Sequence, residues 1–170
     1  NSGGLVPGNG PSSTPSISGD GRFVVFVSSS TNLVAGGVAG TQVYVRDTQT
    51  GLTSLVSQDN SGGLVEGNGV SSTPSISDNG RFVAFVSQST NLLSPAVPAV
   101  VAGQVYVRDT QTGLTSLVSQ DNSGGLVPGN GPSSTPSISD NGEFVAFSST
   151  ATNLVGGLTA TSDIYVRALP

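Results

Sequence analysis

Short apolar runs separated by turn residues recur along the whole chain. In its middle part they are 74–77, 81–87, 104–108 and 114–119, bounded mostly by Gly, Asn, Asp, Gln and Thr. Runs of four to seven residues, rich in β-branched and aromatic side chains and set between such turns, predict β-strands. No window has the 3.6-residue apolar period of an amphipathic helix, so we expect no significant helix.

The second strand of this set, 81–87, is apolar on both faces rather than alternating. A strand that is covered on both sides has this pattern. All nine aromatic residues fall on the second and third predicted strands of each set, where we expect them to pack between sheets: Phe23, Phe26, Tyr44, Phe82, Phe85, Tyr106, Phe144, Phe147 and Tyr165. Four-stranded antiparallel sheets stacked face to face are propeller blades, so the predicted fold is an all-β propeller or part of one.

The chain is an internal repeat. The hexapeptide Asn-Ser-Gly-Gly-Leu-Val starts at Asn1, Asn60 and Asn122, which divides the chain into units 1–59, 60–121 and 122–170. Self-similarity at such a period indicates one supersecondary unit per repeat. We expect each unit to form one blade, with the third blade lacking its fourth strand because its sequence reaches Pro170 first.

The strings PSIS-DNG-RFVAFVS, TNL and QVYVRD-TQTG-LTSLVS resemble the TolB-like β-propeller repeat of bacterial envelope and secreted proteins. The resemblance covers all three units and implies a binding or scaffolding role more often than catalysis. In long-repeat members of that family, the loop after Asn-Leu-Val is often rich in Asp and Asn. Here residues 35–40 read Ala-Gly-Gly-Val-Ala-Gly instead, which disfavours a cation in this loop.

Composition narrows the chemistry. Charged residues are 9% of the chain, the net charge is −5, and Lys, His, Cys, Met and Trp are all absent. Imidazole bases, thiolates, lysine Schiff bases, His/Cys zinc sites and disulfides are therefore excluded. With no basic cluster and no apolar run near 18 residues, we expect no nucleic-acid partner and no membrane insertion. The low charge and abundant Ser, Thr and Gly favour a secreted, bacterial-type protein, extracellular or at the cell surface.

The acidic and basic side chains suggest candidate sites that we weigh against structural roles. Most of the ten acidic residues fall in turns, where Asp caps the backbone, so we predict that the chain is not an enzyme and needs no cofactor. Calcium at the turns holding Asp20, Asp78 and Asp140 is the weaker alternative. Arginines ending the third strands (Arg46, Arg108, Arg167) could grip a carboxylate, but their repetition favours a structural hydrogen bond.

Three blades do not close a propeller, which usually needs about four to eight. The missing strand would expose the third strand of the last blade: Asp163, Ile164, Tyr165, Val166 and Arg167. An open edge pairs readily with another chain. The segment 1–10 is the candidate donor, anchored by Leu5 and Val6, and the competing interpretation is that it serves only as a connector between blades.

Two functions remain open at this point. The first is an extracellular scaffold that self-assembles, as a ring or filament, by strand complementation at the open edge. The alternative is a propeller completed by homodimerisation that binds a glycan or a surface protein. Its candidate ligand loops contain Gly36, Gly37, Pro95, Pro98, Gly156 and Gly157.

Overall fold

The computed structural model describes residues 7–93, 103–123, 125–156 and 161–169. Within these residues the chain is all-β, without a helix, as the sequence predicts. Eleven strands are formed: β1 (Ser12–Ile17), β2 (Phe23–Ser28), β3 (Gln42–Asp47), β4 (Leu52–Leu55), β5 (Ser71–Ile76), β6 (Phe82–Ser87), β7 (Gln104–Asp109), β8 (Leu114–Leu117), β9 (Ser133–Ile138), β10 (Phe144–Ser149) and β11 (Asp163–Ala168).

The strands form three antiparallel sheets in chain order. Blade 1 is β1-β2-β3-β4, blade 2 is β5-β6-β7-β8, and blade 3 is β9-β10-β11 without a fourth strand. The first strands of successive blades adjoin, and the first strand of each later blade also packs on the second and third strands of the blade before it. This arrangement of neighbouring sheets is that of consecutive blades in a partial propeller.

Two layers of apolar side chains join the blades. The back face of blade 1 supplies Val25 and Val43, and the front face of blade 2 meets them with Phe85 and Tyr106; all four are fully buried. The second layer repeats this between blades 2 and 3, with Phe147 on the front of blade 3. We use "front" for the face toward the preceding blade and "back" for the face toward the following one.

The first strand of each blade is longer than predicted and contains a bulge. The predicted strand began at Pro74, whereas β5 begins at Ser71 and its register against β6 shifts between Ser72 and Ser75. Thr73 has φ +44°, and Thr14 and Thr135 repeat this conformation. Proline has no N–H to pair, and the bulge accommodates it inside the strand.

The turn between the first two strands of blade 2 is Asp78-Asn79-Gly80. Both residues of an Asn-Gly pair tolerate positive φ, and here only Gly80 has it, at +71°. Asn79 acts through its side chain, whose Oδ1 accepts hydrogen bonds from Ser77 Oγ (2.8 Å) and Arg81 N (3.0 Å). Asp20 takes this role in blade 1, where Ser18 Oγ and Arg22 N donate to its Oδ1.

Candidate functional site

The strand β11 lies at the edge of its sheet. In blade 1 the N–H of Val43 donates to Ser57 Oγ (2.9 Å), and its C=O accepts from Val56 N (2.9 Å). In blade 2, Val105 makes the same pair of contacts toward the fourth strand. Ile164 holds the matching position in β11, so its N–H and C=O face the open side of blade 3.

The side chains of β11 divide into an exposed and a buried set. Ile164 is 74% exposed, whereas the matching Val43 and Val105 are fully buried, and Val166 is 63% exposed, whereas Val45 and Val107 at its position are buried. Tyr165 is buried within its own blade, where its ring stacks on Phe147 at 5.6 Å between centroids. The predicted edge therefore offers backbone groups on its rim and two aliphatic side chains on its back face.

Of the three arginines that end the third strands, Arg46 donates to Thr53 Oγ1 of its own blade (3.0 Å), and the other two hold connectors. The guanidinium of Arg108 donates to the carbonyls of Gln58 (3.3 Å) and Asp59 (3.1 Å), and its burial lowers its pKa. Arg167 donates in the same way to Gln120 O (2.7 Å) and also to Asn122 Oδ1. These two arginines fix the connector from the blade before, which is a structural role.

A buried glutamine joins each complete blade to the next, and the sequence analysis did not identify it. Gln42 Nε2 donates to the carbonyls of Gly67 (2.8 Å) and Gly69 (3.2 Å), while its Oε1 accepts from Ser57 Oγ (2.6 Å). Gln104 repeats all three contacts one blade later. In β11 this position is Asp163, and the change from QVYVRD to DIYVRA was the available signal.

A ring-and-glycine contact also recurs between blades. A Cβ added at Gly80 would overlap the ring of Phe23, and one added at Gly142 would overlap the ring of Phe82. Glycine is therefore required where the phenylalanine of the preceding blade covers the turn. At each end of the array one partner lacks its counterpart. No atom lies within 4 Å of a Cβ built at Gly21 in blade 1, and Phe144 in blade 3 is 46% exposed.

Ion pairs are present in blades 1 and 2. Arg22 contacts Asp47 at 2.8 Å, and Arg81 contacts Asp109 at 2.8 Å. The hydrogen bond from Arg81 lowers the pKa of Asp109 to about 2. In blade 3 the corresponding residues are Glu143 and Ala168, so this pair is not formed there.

The predicted ligand loops are only partly described. Gly36 and Gly37 have positive φ, and the turn they form carries Val38 onto the core of blade 1 around Tyr44. Gly156 is exposed. The other predicted positions lie outside the described residues, namely Pro95, Pro98 and Gly157, together with the donor residues Leu5 and Val6.

Two grooves lie at the outer strands instead of at these loops. One, of about 510 Å³, lies between blades 1 and 2 and is lined by Phe23, Leu52 and Arg108. The other, of about 480 Å³, lies between blades 2 and 3 and is lined by Leu117 and Arg167. Within the described ranges no three acidic side chains cluster as metal ligands would, and the cofactor and calcium predictions stay predictions.

Solved β-propellers share this fold. TolB from Acinetobacter baumannii superposes with a TM-score of 0.52 at 16% identity, over 94% of this chain and 30% of that one. The tricorn protease gives 0.55 at 13% identity, over 93% and 14%. A chain assigned as TolB from Agrobacterium tumefaciens gives 0.54 at 15% identity, over 94% and 59%. The present chain thus spans less than two thirds of each, and at these identities the similarity shows the fold alone.

The sequence comparisons add no family to this result. No protein-family model matches the chain, and no curated protein matches its sequence. The TolB-like resemblance is therefore supported at the level of the propeller fold. Among the described residues no helix is long and apolar enough to cross a membrane.

The prediction that the chain is not an enzyme is wrong as a conclusion from fold and composition. A protease is among the proteins that share these blades, with a TM-score of 0.55. Because one fold hosts many functions, the propeller neither excludes an enzymatic activity nor establishes one.

Proposed function

We propose that this protein is a building block that assembles with copies of itself by strand addition at β11, in an extracellular or cell-surface setting. The observation that carries the proposal is the edge itself. The N–H and C=O of Val166 occupy the position that pairs with a fourth strand in blades 1 and 2, and those of Ile164 the position that bonds to the two residues after that strand. A strand edge with unpaired backbone groups binds an extended segment by adding it to the sheet.

The donor in this proposal is the segment 1–10 of a second copy, with Leu5 and Val6 as its apolar anchor. Support comes from the same motif later in the chain, where the connector lies along the preceding blade. Gly67 N donates to Ser57 O (2.9 Å) beside the end of β4, and Gln58 bridges to Glu66. The connector that follows this motif is therefore able to pair through its backbone with an extended segment beside a blade.

The edge is tested with Val166→Pro. Proline removes an N–H that points to the open side and leaves the pairing of β11 with β10 intact, since proline is tolerated on edge strands. Light scattering across a concentration series should show association weakened by about tenfold or more, the loss of roughly one to two hydrogen bonds. Val166→Thr is the matched control because it keeps the N–H and the branched shape. Equal association of the wild type and Val166→Pro would contradict strand addition.

The donor is tested separately with the double variant Leu5→Ser/Val6→Ser and with deletion of residues 1–10. Both should weaken assembly if these residues anchor the donor strand. Leu64→Ser/Val65→Ser changes the same pair inside the chain and should leave assembly unchanged. Unchanged association after the deletion would assign residues 1–10 to a connector role.

The second candidate function is ligand binding, and the groove between blades 1 and 2 favours it. The groove combines an apolar floor at Phe23 and Leu52 with the Arg22–Asp47 ion pair at its side. Such a lining offers both apolar contact and several hydrogen-bonding side chains, which a sugar or another polar small molecule could use. A glycan array of the wild type and of Leu52→Arg, which fills the groove, tests this function: binding lost in the variant supports it, and an array without hits contradicts a glycan ligand.

A further inference from the structure

The two blade interfaces inside the chain are built alike. Each seats a phenylalanine of one back face over a glycine turn of the next blade, Phe23 over Gly80 and then Phe82 over Gly142. Backbone hydrogen bonds link the same turns in series: Gly19 N donates to Asp78 O (3.1 Å), and Asp78 N donates to Asp140 O (3.0 Å). The interface is thus a repeating module whose two halves lie on opposite faces of each blade.

Further contacts of the module join the first strand to the preceding third strand. Ser71 N donates to Thr41 O at 3.0 Å, and Ser133 N donates to Gly103 O at 2.9 Å. In the second interface Ile138 N also donates to Ser75 Oγ at 3.2 Å. These contacts fix the offset of each blade relative to its neighbour along the strand direction.

At the ends of the array the two halves of the module are exposed. On the front face of blade 1, defined by Ile17, Gly21, Val24 and Phe26, Ile17 is 60% exposed, whereas the matching Ile76 and Ile138 are 7% and 8% exposed. The back face of blade 3 carries Phe144, Ala146, Ile164 and Val166, and the valines that match Val166 in blades 1 and 2 are 9% and 5% exposed. Both end faces are apolar, and each has the shape of one half of the internal interface.

We propose that the front face of blade 1 of a second copy packs against the back face of blade 3, with Phe144 lying over Gly21. The occupant is a copy of this chain because the two end faces complement each other as the internal faces do. This inference rests on the proposed self-assembly and gives it a side-chain contact. In the contact Asp140 N donates to Gly19 O of the second copy, and residues 7–10 of that copy lie beside Asp163, close to the open edge.

One position departs from the internal module. Gln42 and Gln104 donate to two carbonyls of the next connector, and the matching carbonyls at this junction belong to Gly8 and Gly10 of the second copy. Asp163 is the residue that faces them, and a carboxylate accepts rather than donates. The junction is therefore weaker than the internal interfaces, which makes the contact reversible and open to strengthening by a single substitution.

A disulfide tests the geometry directly, because the chain has no cysteine of its own. Ser75 and Ile138 are in contact across the second internal interface, and Ser137 and Ile17 of a second copy are the matching pair. Ser137→Cys/Ile17→Cys should give covalent dimers under mild oxidation if two chains form a ring, and a ladder of longer species if they form a filament. Ser137→Cys/Leu64→Cys is the control, since Leu64 is exposed but lies in a connector. Equal cross-linking of both pairs would overturn the proposed contact.

Gain and loss of association complete the test. Asp163→Gln should strengthen association by about tenfold, the worth of one or two added hydrogen bonds. A gain of this kind does not arise from misfolding. Phe144→Asp should weaken association by about tenfold or more, whereas Leu64→Asp should leave it unchanged. A wild type that stays monomeric at every concentration contradicts the proposed self-assembly as a whole. Assembly that ignores Asp163→Gln and Phe144→Asp contradicts this contact alone and leaves strand addition standing.

Discussion

At the residue scale, the most informative side chains are those at positions where the three repeats differ. Asp109 accepts two hydrogen bonds from Arg81 and caps its own turn by accepting from Gln111 N (2.9 Å) and Thr112 N (3.3 Å). Arg81 in turn stacks over the ring of Phe82 at 4.7 Å. Blade 3 has lost the ion pair through Glu143 and Ala168, so any pH dependence from these pairs arises in blades 1 and 2.

The ion pair of blade 2 should make stability fall in acid. The pKa of Asp109 is about 2 in the folded chain, below its ordinary value of 3.8, so in acid the folded state keeps the charge that the unfolded state loses. The stabilisation is complete above about pH 4 and is lost as the pH falls toward 2. Asp109→Asn keeps the cap and should cost about 1 kcal/mol or less at pH 7, because the pair is partly exposed and screened.

Urea unfolding at pH 7 and pH 2.5 measures this effect. The difference between wild type and Asp109→Asn should be present in full at pH 7 and fall to roughly a third of that at pH 2.5. In an Arg81→Met background, which keeps the packing on Phe82, Asp109→Asn should alter the dependence on pH less, because only the contacts from Gln111 and Thr112 then still favour the charged carboxylate. A difference of the same size at both pH values would show that the charge of Asp109 is not its source.

At the element scale, the buried glutamines should be among the costliest residues to replace. Gln104→Leu leaves the carbonyls of Gly129 and Gly131 and the hydroxyl of Ser119 without their buried partner. Each unsatisfied buried group costs about 1–3 kcal/mol, so we expect a loss of about 3 kcal/mol or more in the free energy of unfolding. Gln111→Leu, in an exposed turn, is the matched control and should change stability by less than about 0.5 kcal/mol. Similar values for the two variants would contradict the linking role.

The elements themselves could largely be predicted from the sequence. Strand β6 is a nearly continuous apolar run after an Asn-Gly turn, and β7 has an apolar centre and ends at the turn 109–113, so local pattern and fold agree. The bulge at Thr73 could not be predicted, because positive φ in a residue before proline contradicts its local preference and is imposed by the surrounding blade. The role of Gln104 could not be predicted from the sequence for a similar reason. Its partners lie 25 and 27 residues away in a connector whose position only the packed blades define.

Candidate sites were harder to predict than strands, since a site depends on what the array leaves uncovered. The edge at β11 followed from counting strands, and the structure shows the exposure of Ile164 and Val166 there. The end faces did not follow, because apart from Glu143 in place of arginine, Phe144 has nearly the same local sequence as the covered Phe23 and Phe82. Only the packing of neighbouring blades distinguishes them.

At the largest scale, the three described blades leave one open edge and two apolar end faces, and the proposed contacts use all three. Strand addition depends on backbone groups of β11, whereas the end-face contact depends on side chains such as Phe144 and on the glycine turn at Gly21. The two are compatible because the end-face contact brings the first ten residues of the second copy close to β11. They should therefore contribute separately to assembly.

Completing blade 3 separates the two contributions. Replacing residues 168–170 with the thirteen letters of 47–59, DTQTGLTSLVSQD, supplies β11 with the fourth strand that blades 1 and 2 possess. Strand addition is then blocked, and association should weaken by about tenfold while the end faces still meet. Adding Phe144→Asp to the extended chain should leave a monomer. The control is an extension of equal length in Gly and Ser, which cannot pair specifically with β11 and should leave association as in the wild type.

If the extended chain assembles as strongly as the wild type, the edge is not a contact and the end faces account for assembly. If the extension alone yields a monomer, the end faces contribute nothing of their own.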